Sequence, residues 1–239
     1  MSFFELIGKA ALGAVIGGAL SLDTVAAGQF LLSSPLVACP LLGWILGNPW
    51  LGITIGMALA LPWLGTLPVG AYTPPDAPCA AMTVTIASIL FSSVHPQLPA
   101  LFVASVAILP APLLATLAGF GDNLVYHCNE RTVKQAERAY LAGNRCAPAQ
   151  AVLRGLAGFY LKGLGMILIG GLLCWGWLEL VALLPPAFYP LAACFYFAIL
   201  GLGVGTIISS AKRANVILST ITGLVCGLGL AYLTGGVLW

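Results

Sequence analysis

Charge is what this chain has least of. Only 7% of its 239 residues are Asp, Glu, Lys or Arg, against 60% that are apolar. A soluble domain carries about 25% charged residues. So few charges do not cover the surface of a water-borne globule of this size, and lipid must be the solvent for much of it. Polar tracts long enough for a second domain are also missing, so residues 1–239 read as a single membrane domain. The net charge of +2 is too small to point to nucleic acid. Histidine is scarce, with two residues, and the seven cysteines form no C-x-x-C pair. That excludes a zinc framework and a disulfide scaffold as organising features. Most of the cysteines lie in apolar runs, where a thiol behaves as a small hydrophobe. Walker loops, nucleophile elbows and H-E-x-x-H are missing too. An intramembrane enzyme therefore has no nucleophile and base to work with. His127 and Cys128 are adjacent but have no further ligand pattern around them. Neither a cofactor nor a metal is expected.

What the chain has is apolar length. A spanning helix needs about 20 apolar residues. Residues 6–22, 50–67, 97–120, 161–184, 187–209 and 214–238 qualify, the third interrupted by Pro110 and Pro112. Residues 35–47 and 79–94 are shorter runs, expected as re-entrant or broken segments. The expected fold is an all-α, polytopic helical transporter with short broken helices. The N-terminal spans occupy 1–120 and the C-terminal spans 155–239. A small-residue tract, Val25-Ala26-Ala27, has the form of a signal-peptide cleavage site. The best motif of the chain begins at Ser21 and straddles it, so the segment is expected to be retained.

Between the two sets of spans lies the exception. Five of the nine Lys and Arg residues fall between Arg131 and Arg154. Residues 121–154 read as a partly helical, charged loop in the cytoplasm by the positive-inside rule. On that assignment the span 161–184 leads outward, Pro185-Pro186 turns outside, and Lys212-Arg213 returns inside. Trp239 then falls at the outer face. Glycine pairs four apart (Gly13/Gly17, Gly43/Gly47, Gly52/Gly56 and Gly223/Gly227) read as close helix packing within the chain.

The informative region runs from Ser21 to Ala81. It holds prolines at 35, 40, 49, 62, 68, 74, 75 and 78. Each removes a backbone donor and frees a carbonyl. Irregular backbone at membrane depth survives only when buried in protein or lining a wet cavity. Asp23 and Asp76 lie here, and an ionised Asp at the bilayer centre costs roughly 2.5–3.5 kcal/mol on insertion scales. Carboxylates are good acceptors for sugar hydroxyls. Asp23 with Gln29 points to a polar pocket, whereas Asp76, before Ala77-Pro78, equally fits a helix cap. Trp44, Trp50, Trp63 and Tyr72 supply rings on which sugars stack, with an interface belt as the alternative for Trp50. Glu179, beside Trp175 and Trp177, is a second-rank site candidate. His95, before Pro96, reads as a loop residue.

Several runs carry a resemblance. They are Ser21-Leu22-Asp23, Gly28-Gln29-Phe30, Pro35 through Gly43, Gly52 through Gly56, Leu67 through Gly70, and Pro74-Pro75-Asp76-Ala77. In order and spacing they resemble the N-terminal part of the IIC proteins of mannose/fructose/sorbose phosphotransferase systems. The resemblance implies a sugar-translocating permease subunit in the bacterial inner (plasma) membrane. It also implies a IID membrane partner and soluble IIA and IIB components that carry phosphate on histidines. The IIC chain itself would carry no phosphoryl group. Asp23, Gln29, Asp76 and Trp63 are the candidate sugar-binding residues. Two positions depart from the family pattern: Asn48, where an acidic residue is frequent, and Ala60, where a glutamate is. These departures leave open an uncoupled facilitator or sensor subunit as the alternative.

Overall fold

A computed structural model of the protein describes residues 2–63, 74–212 and 216–234. Tyr72, Leu67 to Gly70, Arg213 and Trp239 lie outside the described residues. Ten helical elements make up the rest, without strands among the described residues: α1 (Phe3–Val25), α2 (Pro35–Leu46), α3 (Pro49–Trp63), α4 (Ala77–Val94), α5 (Ala100–Ala107), α6 (Ala111–Leu141), α7 (Ala147–Ala182), a 3-10 turn (Pro186–Phe188), α8 (Tyr189–Lys212) and α9 (Val216–Thr234). Four are long and apolar enough to cross a membrane, or five if the bent pair α5–α6 counts as one span. Helices suit this chain because each satisfies its own backbone polar groups where no water can.

α4 is the axis. Fourteen of its 18 residues are buried, including Met82, Val84, Thr85 and Phe91. Residues 79–94 were expected to be broken, and this is a correction. The segment is one continuous helix, about 27 Å long at 1.5 Å per residue. Protein on every side of it replaces the lipid-facing surface that a longer run would need. The break falls next door instead. α5 and α6 meet at 48° across residues 108–110. Pro110 precedes α6, and Pro112 stands in its first turn, where a missing N–H costs nothing.

α2 and α3 form a short antiparallel hairpin. At 12 and 15 residues they reach about 18 and 22 Å, less than the roughly 30 Å of a hydrocarbon core. The run 50–67 therefore contributes a half-length helix over its described part rather than a full span. The two helices touch backbone to backbone. A Cβ on Gly52 would run into the Cys39 carbonyl, and one on Gly56 into the Pro35 carbonyl. Gly47 turns the tip with φ 94°. Asn48 then caps α3, its side-chain oxygen accepting the Leu51 N–H at 3.1 Å. Amide oxygens such as that of Asn48 are among the preferred N-cap acceptors. Tyr196 of α8 donates to the Thr54 carbonyl at 3.0 Å and ties the hairpin to the C-terminal helices.

Residues 121–154 differ most from expectation. Expected to be partly helical, they are helical over most of their length and form an arm. α6 runs unbroken to Leu141 and α7 starts at Ala147, with Gly143 at φ 97° between them. Small residues on both helices, Ala136, Ala151 and Gly155 among them, line a cavity of about 450 Å³ together with Val133, Tyr140 and Val152. Glu130 and Lys134 pair at 2.6 Å on its surface. Their hydrogen bond lowers the carboxyl pKa and raises that of the amine. The physical reason for the helical arm is register. The apolar periodicity of both spans continues past the membrane boundary, so the helices do too.

The glycine seam of α2–α3 yields a test. Gly52→Val should destabilise the protein by about 1–3 kcal/mol through overpacking. Gly8→Ala, inside α1 with nothing within 4 Å of the added carbon, should instead stabilise it slightly, by about 0.5–1 kcal/mol. Thermal unfolding of the detergent-solubilised protein checks both.

Candidate functional site

α4 and α7 are joined at both ends by polar side chains. Asp76 meets Lys162 where α4 begins, and His95 meets Glu179 where it ends. The two helices therefore run in the same direction. Lys162 and Glu179 are 17 positions apart on α7, about 26 Å at helical rise. That is close to the thickness of the hydrocarbon core. One end of the bundle carries the arm, and the other carries His95 and Glu179.

At the arm end the centre is Lys162. Its ammonium reaches Asp76 Oδ2 and, at 2.7 Å, Asp122 Oδ1. All three side chains are at most 15% exposed. They come from α7, the start of α4 and α6. Asp76 also caps α4, with Oδ1 accepting the Cys79 N–H at 3.0 Å. Its backbone N–H donates to the Ala115 carbonyl of α6 at 3.0 Å. The same carboxylate thus closes a helix end, which favours negative charge at its N-terminus, and anchors a buried cation. The sum of one ammonium and two carboxylates is one negative charge. Each carboxylate keeps unspent acceptor capacity, since an ionised carboxyl offers about four lone-pair directions.

Asp23 lies on the same end of the bundle. Gly18 packs on Leu164 and Tyr160, and Ser21 packs on Gly163, so α1 approaches the Lys162 level as it ends. The Asp23 side chain, 8% exposed, turns into the loop that follows α1. Oδ1 accepts the Phe30 N–H at 2.7 Å and Oδ2 the Ser33 N–H at 3.2 Å. That loop has three residues in the left-handed region: Gly28 at φ 88°, Gln29 at 56° and Leu31 at 65°. For Gln29 and Leu31 this conformation costs of order 1–3 kcal/mol each. The carboxylate offsets that cost by gathering the backbone donors of the turn. Gln29 is exposed at its crest. Trp63 is half-buried at the end of α3 and packs on the core.

The structure thus brings Asp23 and Asp76 to one end of the bundle, each with its own set of partners. Asp23 and Gln29 share a loop, and the backbone of that loop holds the carboxylate. Lys162 and Asp122 were missed from the sequence. Asp122 was assigned to the aqueous stretch, one residue past its start. Lys162 stands alone between Arg154 and Glu179 in an apolar stretch, and a lone intramembrane charge is itself the signal.

A bundle of spanning helices with a half-length hairpin beside buried carboxylates defines a polytopic membrane transporter fold. The family model EII-Sor, the PTS system sorbose-specific IIC component, matches residues 7–176. The chain belongs to this family. The PTS system sorbose-specific EIIC component of Lacticaseibacillus casei is 42% identical over 62 residues, which is 26% of this chain and 21% of that protein. The chain thus aligns with only about a fifth of that relative's length. Among solved structures, one described as "Structure of membrane protein" is similar at a TM-score of 0.64, with 20% identity over 99% of this chain and 88% of the other. The cryo-EM structure of the mannose transporter ManYZ in complex with microcin E492 (MceA) is similar at 0.58, with the same identity and coverage. At that identity the two structures establish the fold alone.

Lys162→Met should cost about 3–5 kcal/mol, the usual effect of leaving a buried partner charge unpaired. The triple variant Lys162→Met, Asp76→Asn, Asp122→Asn should recover most of it. Chemical unfolding of the reconstituted protein reads both. Wild-type stability in the single variant would mean that the three side chains are not held together in the bilayer.

Proposed function

We propose that the chain is the sugar-translocating IIC permease subunit of a phosphoenolpyruvate-dependent, mannose-type phosphotransferase system in the bacterial inner membrane. It binds a hexose or related sugar and moves it inward for phosphorylation. A IID subunit is its membrane partner, and soluble IIA and IIB supply the phosphate. The observation that carries this reading is the family match over residues 7–176, which spans the Asp23 loop, the half-length hairpin and the Asp76 cap together.

In this reading Asp23, Gln29, Asp76 and Trp63 contact the sugar. The strained turn of Asp23 holds Gln29 out of the bundle, and strain of this kind is concentrated at ligand sites. The start of α4 and the end of the half-length hairpin are the places where a transporter fold leaves backbone and carboxylate groups for a polar substrate. The arm carries Arg131, Lys134, Arg138, Arg145 and Arg154, which puts it on the cytoplasmic side by the positive-inside rule. That is the side from which soluble phosphocarriers approach. By the same rule α1 enters from outside, because it ends at the arm end of the bundle.

Ala60 favours a second reading. It is 4% exposed, and a methyl there gives a sugar no acceptor where the family pattern often has a glutamate. A facilitator or sensor subunit without coupling to phosphorylation would tolerate this change. The test co-expresses the chain with a IID partner and adds purified IIA and IIB to membrane vesicles. Phosphoenolpyruvate-dependent phosphorylation of a labelled hexose and amino-sugar panel is then measured. The permease reading expects product that requires this chain and that Asp23→Asn abolishes without loss of the protein from the membrane. A formed complex that phosphorylates none of the sugars would favour the uncoupled reading.

A further inference from the structure

The end of the bundle away from the arm holds a cluster that the sugar site above does not use. Glu179 lies in the last turn of α7, which ends at Ala182 and has no basic residue there. The end of α4, capped by His95, packs against it. A carboxylate at the C-terminal end of a helix opposes the macrodipole. Glu179 is kept at this position, facing two such ends, and its environment is built around it.

Two donors converge on one of its oxygens. His95 Nε2 lies 3.2 Å from Oε1, and Trp175 donates its indole N–H to the same atom at 3.0 Å. The Gln97 amide nitrogen lies 3.5 Å from His95 Nδ1. One tautomer satisfies the chain of contacts, with the imidazole donating to Glu179 from Nε2 and accepting from Gln97 at Nδ1. Phe91, buried to 1%, forms the floor. The His95 ring lies over it at 4.4 Å and 30°, and the Trp175 ring stands edge-on to it at 5.4 Å and 78°. Rings and carboxylate are therefore fixed before any ligand arrives. The Glu179 side chain nonetheless remains 46% exposed, with about half of its acceptor capacity unspent.

Interface-belt tryptophans turn their N–H towards headgroups and water. Trp175 turns its N–H to a carboxylate instead, and Trp177 turns its own to the Val106 carbonyl at 2.8 Å. A preorganised acceptor beside a fixed aromatic face, open at the surface of the chain, is what a neutral polyol needs. Adjacent hydroxyls donate to the carboxylate, and the C–H face of the ring stacks on the indole. Few, fixed polar groups among aromatic side chains are the usual make-up of a small-ligand site.

We propose that Glu179, Trp175 and His95 form a second, outward-facing hexose subsite, a reception site about 26 Å from Lys162 along α7. Its ligand class rests on the sugar-transport reading above, but its residues and location are independent of Asp23 and Asp76. The Glu179 side chain is about half exposed, so binding there is weak, about millimolar. Capture there precedes transfer to the deeper residues at the arm end.

Saturation-transfer NMR on membrane vesicles containing the chain tests this, with glucose, mannose, fructose and sorbose as probes and vesicles lacking the chain as blank. Wild type should show saturable contact to at least one hexose. Glu179→Gln should raise the half-saturation concentration about tenfold, the effect of one charged hydrogen bond. Trp175→Phe, which keeps a ring but loses the donor to Glu179, should give a smaller rise in the same direction. Glu137→Gln, on the arm and outside both sites, should leave this contact unchanged. Immunoblots of the vesicles ensure that each variant is present in equal amount. No saturable contact in wild type, or Glu179→Gln binding as wild type does, overturns the proposal. Loss in Asp76→Asn with retention in Glu179→Gln also overturns it, and would leave the arm-end site standing alone.

Discussion

A single buried ammonium fixes the arm end of this membrane protein. Lys162 holds Asp76 and Asp122, and through them it sets the start of α4, the exit of α6 and the course of α7. Charge in a bilayer is tolerated only in company. The need to supply that company joins three helices that are far apart in sequence. With Lys162 paired, α4 can begin inside the bundle with its N-terminus capped. The apolar packing around α4 then follows from burial, but its axial register follows from the ion pair at its start and the His95–Glu179 hydrogen bond at its end.

Much of the architecture was legible in the sequence because it is encoded locally. The first span was expected at 6–22 and is Phe3–Val25. The short run 35–47 is α2, at Pro35–Leu46. The interruption signalled by Pro110 and Pro112 is a bend of 48°. Proline and apolar length act where they stand, so a reader of the sequence can place them. Most of the paired glycines also pack within the chain, with Gly13 and Gly17 against Ile86 and Ile167, whereas Gly47 makes no such contact and forms the turn instead.

What escaped the sequence is whatever depends on partners far along the chain. Lys162 and Asp76 are 86 positions apart, and no spacing rule connects them. The stretch 79–94 looked too short to span because neighbouring helices, rather than its own length, shield α4 from lipid. The arm looked like a partly helical loop because polar residues at 121–154 hide the unbroken helical period beneath them. Asp23 illustrates a third limit. Its identity marked it as important, yet its geometry, a carboxylate gathering the N–H groups of a left-handed turn, is visible only in the folded loop. Asn48 shows the reverse. As a letter it is a departure from a pattern, and as an atom it supplies the N-cap acceptor to the Leu51 N–H.

α7 has a mechanical consequence. It is one uninterrupted helix of 36 residues, about 54 Å long, and it is pinned near its middle at Lys162. The half inside the bundle is clamped by α1 and α4, while the half beyond the pin, past the contact of Tyr160 with Gly18, is supported by α6. Such a beam turns rotation into displacement. A tilt of about 5° at Lys162 carries the start of α7, about 22 Å away, through about 2 Å. A partner that grips the arm tip thus works on the Asp76 cap with a long handle, and a change at the cap is read at the tip as movement large enough to make or break a protein contact.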